Sequence, residues 1–108
     1  MKPTEKELLV ILAECASACY HCSMACLDEK NVTMMTRCIK LDLDCAQICE
    51  LTAAFISRGS NHAPHIIKEC IEICRNCAEE CGKHADMEHC KDCAAACRKC
   101  AEACLMDP

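Results

Sequence analysis

Sixteen of the 108 residues are cysteines, and their spacing is regular. Cys15, Cys19, Cys22 and Cys26 recur with gaps of four, three and four residues, and the same gaps return at Cys70, Cys74, Cys77 and Cys81. A longer series runs through Cys90, Cys93, Cys97, Cys100 and Cys104, and a sparser one through Cys38, Cys45 and Cys49. An α-helix turns about 100° per residue, so the first series falls within roughly 60° of arc and the longest within about 80°. Each series is therefore a stripe of thiols on one helix face.

Such stripes can fill a core, pair as disulfides or bind metal. One or two buried cysteines act as small hydrophobes. On four inner faces at once, leucine would pack more tightly and leave no reactive thiol. Bridging residues i and i+4 gains little, because the helix already fixes their separation. Disulfide scaffolds are also loop-rich, whereas this chain has two glycines and three prolines. Metal binding remains. Zinc and iron–sulfur sites usually draw ligands from C-x2-C knuckles on loops, and here the cysteines lie in helical sequence. Soft thiolates favour Cu(I), which accepts two nearly linear ligands such as neighbouring thiols on one stripe. So many ligands, with no position left for a substrate, describe a store rather than a catalytic centre.

Four helices must carry these stripes. Thr4 to Glu7 fits a capping box opening the first helix, expected to run to about Glu29. Asn31 is the expected cap of the second, which continues to Arg58 and stops at Gly59. Pro64 suits the first turn of the third, which Gly82 ends. Asp86 is the expected cap of the fourth, ending near Met106. Short loops between four such helices predict an all-α, antiparallel up-down-up-down bundle with a cysteine-lined core, one domain over residues 1–108. The apolar run Leu8–Leu12 is too short for a signal peptide or a membrane span, so a reduced, cytoplasmic setting is expected. A net charge of −5 with only Tyr20 and Phe55 as aromatics argues against a nucleic-acid partner.

The repeated C-x3-C-x2-C-x3-C, the stretch RCIKLDLDCAQIC and the junction CGKHADMEHCKDCAAAC resemble the cytosolic copper storage proteins over almost the whole chain. That resemblance implies a homotetramer of four-helix bundles, many Cu(I) ions per subunit, no catalytic role, and core thiols at all sixteen cysteines named above. An exported branch of the family begins with a twin-arginine signal, which is lacking here. Any thiols the family places in the first turns of helix one are replaced by Leu8, Ile11 and Leu12.

The remaining stripe residues sort by end. Leu8, Leu12, Thr52, Ile56, Ile66 and Ile67 should gather as an aliphatic plug. Met34, Met35, His84, Met87 and His89 should gather at the opposite end as a mouth of weaker copper ligands, whereas His21, Met24, His62 and His65 should lie outside the site. Asp42 falls inside the thiol arc. Two accounts are open for it: an edge position paired with Lys or Arg of a neighbouring helix, or a carboxylate that hydrogen-bonds thiols or aids copper movement. Two rival functions also remain, a thiol-based redox or metal sensor and zinc storage of the metallothionein kind.

Overall fold

The computed structural model describes residues 4–106. The helix α1 spans Glu5–Leu27. The Thr4 hydroxyl accepts from the Glu7 amide at 3.1 Å, and the Glu7 carboxylate accepts from the Thr4 amide at 3.2 Å. This reciprocal pair satisfies two of the free N–H groups at the helix start. The helix ends at Leu27 rather than Glu29, because the Asp28 amide already turns back to the carbonyls of Ala25 and Cys26.

The second helix does not begin at an Asn31 cap. Val32–Met35 forms one 3-10 turn, and Asn31 makes no side-chain capping bond. This tighter turn carries Met35 into the core, where it is fully buried. The helix α2 then spans Thr36–Ser57. Gly59, at φ +65°, supplies the left-handed residue that follows it, a conformation cheap only without a Cβ. The helix α3 spans Ala63–Gly82, with Pro64 in its first turn. The helix α4 spans Glu88–Leu105, and Met87 rather than Asp86 holds the cap position. No strand occurs among the described residues.

Each helix packs on the two that adjoin it around a square, α1 and α3 both touching α2 and α4. The bundle measures 44 × 24 × 18 Å. All sixteen cysteines are buried, with Ala16, Ala46, Ala78, Ala94, Ala101 and Ala103 beside them. Small residues at the seams let the helices approach closely and bring thiols of different helices into contact. Leu8, Leu12 and Met35 are the largest fully buried side chains.

One stretch exceeds the expected limit on membrane-spanning length. The helix α1 is long and apolar enough to cross a membrane by length and composition, because Ala and Cys extend the apolar stretch well past Leu12. Its cysteine face lines the bundle core, so it serves here as a core helix.

Candidate metal centre

The bundle axis is a column of sulfur. At one end Leu8, Leu12 and Thr52 are buried, and the Thr52 hydroxyl donates to the Ile48 carbonyl at 2.7 Å. Ile56 and Ile67 pack on them half-buried. Ile66 is half-buried too, but it is not among the residues packed on the core, so the plug takes one of the two isoleucines.

Four-membered groups follow along the axis. Cys15, Cys49, Cys74 and Cys100 form one, Cys15, Cys19, Cys45 and Cys97 another, and Cys19, Cys77, Cys93 and Cys97 a third. Cys22, Cys38, Asp42 and Cys81 make the next, and Cys22, Cys26, His89 and Cys90 the outermost. Within each group the ligand atoms lie within 4.8 Å of one another. The first three groups share Cys15, Cys19 and Cys97, and the last two share Cys22. Asp42 joins the two sets through Cys77 and Cys93, both at 3.2 Å, and Cys97 touches Cys19 at 3.6 Å and Cys45 at 3.7 Å. Cross-helix contacts are as short as those along one helix: Cys45–Cys74 is 3.5 Å, and the i,i+4 pair Cys22–Cys26 is 3.8 Å. The linear pairs expected along one helix are thus only part of the geometry. Ions here would be bridged by thiolates of several helices.

The thiols are all free. Burial penalises the thiolate, pushing Cys26 up and Cys90 up to about 12. A metal must displace the protons these thiols hold in order to enter.

Asp42 settles on the second of its two accounts. It is fully buried and pairs with no cation among the described residues. Its Oδ1 accepts from Cys77 at 3.2 Å, Cys93 at 3.2 Å and Cys81 at 3.3 Å, and Cys38 lies 3.8 Å from Oδ2. Burial, followed by the neighbouring thiolate charges of Cys93, Cys77 and Cys38, pushes its carboxyl up to about 10. Its acid form is favoured among the sulfurs. The buried carboxylate that does find cations is Glu80, which sequence reasoning missed. It accepts from Arg37 at 3.1 Å and Lys83 at 3.3 Å, with His84 Nε2 at 3.6 Å.

The mouth is built from fewer residues than expected. His89 enters the outermost group and Met87 packs half-buried on the core. Met35 lies beneath them in the core cluster, Met34 points to solvent at 65% exposure, and His84 leans on Glu80. His21, Met24, His62 and His65 are exposed, as expected.

Residues 1–107 match the copper storage protein family, Csp. The chain belongs to that family. The uncharacterized cysteine-rich protein YhjQ of Bacillus subtilis (strain 168) is 43% identical over 78 residues, which cover 72% of this chain and 71% of YhjQ. A cytosolic copper storage protein from Streptomyces lividans, solved during copper loading with five coppers, superimposes with a TM-score of 0.90 at 40% identity. The match covers 94% of this chain and 88% of the other. The Cu(I)-bound copper storage protein BsCsp3 gives a TM-score of 0.89 at 38% identity, covering 95% of this chain and 97% of its own. Against this family frame, Glu29 and Glu80 are the residues that sequence reasoning passed over. The available signal was topological: both lie at the helix ends that antiparallel packing brings to the mouth.

Proposed function

We propose that this chain, acting as one storage unit over residues 1–108, takes up, buffers and releases Cu(I) in the cytosol through its sixteen cysteines and turns over no substrate. The observation that supports this most directly is the overlap of the thiol groups along a closed core. Each Cu(I) that enters displaces one thiol proton, so a core filled at one ion per thiolate stays neutral, as burial demands. Zn(II) carries two charges and reaches neutrality at half that number, in discrete tetrahedral sites rather than shared ones. A sensor needs a few thiols within reach of its trigger, and here every thiol is buried.

Copper enters at the His89 and Met87 end, because imidazole and thioether hold Cu(I) more weakly than the thiolates beneath and pass it inward. The homotetramer implied by family resemblance is supported by the outer face of α1. There Val10, Met24 and Leu27 are each more than half exposed, an apolar surface suited to further copies of the chain and not to nucleic acid. Offering reduced, metal-free protein equal amounts of Cu(I) and Zn(II) tests the choice of cargo. Copper should fill the core while zinc remains in solution, and retention of zinc against copper would reject the proposal.

A further inference from the structure

His89 stands in the first turn of α4 with its two ring nitrogens facing different chemistry. Nδ1 lies 3.5 Å from Cys22 Sγ, 3.5 Å from Cys90 Sγ and 3.9 Å from Cys26 Sγ. Nε2 lies 2.8 Å from Glu29 Oε2. The His89 side chain is 14% exposed and that of Glu29 is 32% exposed, so the pair seals the mouth with the carboxylate outermost. A neutral imidazole carries one N–H and one lone pair, and a carboxylate only accepts. The proton therefore sits on Nε2, which donates to Glu29, and the Nδ1 lone pair is left aimed at three sulfurs.

His84 provides a contrast within the same molecule. Its Nε2 faces Glu80 at 3.6 Å, but Glu80 already holds Arg37 and Lys83. No hydrogen bond joins His84 to a thiol among the described residues, whereas His89 makes three such contacts. What sets His89 apart is a carboxylate of its own on the far side of the ring.

We propose that Glu29 is a positioning residue that fixes the tautomer and orientation of His89, so that the mouth offers an arriving Cu(I) one nitrogen and three sulfurs. Outer carboxylates that hold a ligating histidine commonly set its tautomer, and their loss costs roughly 10- to 100-fold in affinity or activity. Glu29 reaches His89 from the turn after α1 across 60 positions of sequence, a pairing made only by the antiparallel fold. Without it the ring is free to carry its proton on Nδ1, which removes the lone pair from the thiols, or to swing outward. The effect on uptake rests on the copper-storage proposal. The effect on the tautomer does not.

The test compares wild type with Glu29→Ala, Glu29→Gln and the exposed-site control Glu72→Ala. Imidazole nitrogen NMR of the reduced, metal-free protein should report the Nε2–H form of His89 in wild type and a mixture in Glu29→Ala. Stopped-flow transfer from a Cu(I)–chelator complex should show the first equivalents entering Glu29→Ala about tenfold more slowly, with unchanged helicity and final capacity. Glu29→Gln keeps an oxygen acceptor and should restore the tautomer and bring the rate to within about twofold of wild type. A wild-type His89 protonated on Nδ1, or a Glu29→Ala protein that loads like wild type, would overturn the assignment. If wild type took up no Cu(I) at all, the storage proposal would fall, and the NMR result alone would decide the role of Glu29.

Discussion

At Asp42 a carboxyl group sits where sixteen thiols leave no room for a counter-ion. Its acid form is favoured in the fold, with the carboxyl pushed up to about 10 from an ordinary 3.8. Between those values the folded chain keeps a proton at Asp42 that the unfolded chain releases, so the contribution of this group to metal-free stability falls as pH rises. One group of this kind contributes a slope of at most about 1.4 kcal/mol per pH unit. Urea unfolding of the reduced apo protein from pH 5 to 8 should show this decline, and Asp42→Asn should flatten it and be the more stable protein at pH 8. A wild-type stability that rises over the same range would contradict the account. The helical count placed Asp42 in the thiol arc, but the identity of its partners was illegible. Cys77, Cys81 and Cys93 come from α3 and α4, and single-helix geometry does not say who faces whom. His89 was named as a mouth residue, but its pairing with Glu29 was hidden for the same reason.

At the scale of elements, the ends of the bundle differ in what they lose when altered. Leu12 is wholly buried in the plug, and Leu12→Ala should cost about 2–5 kcal/mol through the cavity it leaves, measured by denaturant unfolding. Thr4→Ala removes one partner of the capping box and should cost about 1 kcal/mol. Neither change should alter the rate of copper loading from a chelator. Replacing Met87 and His89 together should slow that rate while final capacity stays the same. Faster loading through the Leu12→Ala end, with no change at the mouth, would place the entrance at the opposite end. Helix existence was legible because cysteine periodicity runs through all four. The 3-10 turn at Val32–Met35 was not: Asn31 marks a helix start but not its type, and the burial of Met35 that goes with the turn is a contact with other helices. The start of α4 moved for a similar reason, since Asp86 is exposed and has no helix amide to accept from.

For the whole molecule, buried thiols, the capping box of α1 and four helices closed on one core should hold the bundle without metal. Circular dichroism of reduced apo protein should therefore be strongly helical, and a coil spectrum that folds only on metal addition would sink that expectation. The outer face of α1 should hold copies of the chain together. Met24→Glu, at a 54% exposed position, should lower the mass seen by light scattering without changing the helical spectrum. The central claim is capacity. An anaerobic titration of reduced apo protein with Cu(I), against a chromophoric competing chelator, measures it directly. The account predicts tight uptake that continues to a number of ions per chain comparable with the sixteen cysteines. Saturation at one or two equivalents would contradict it.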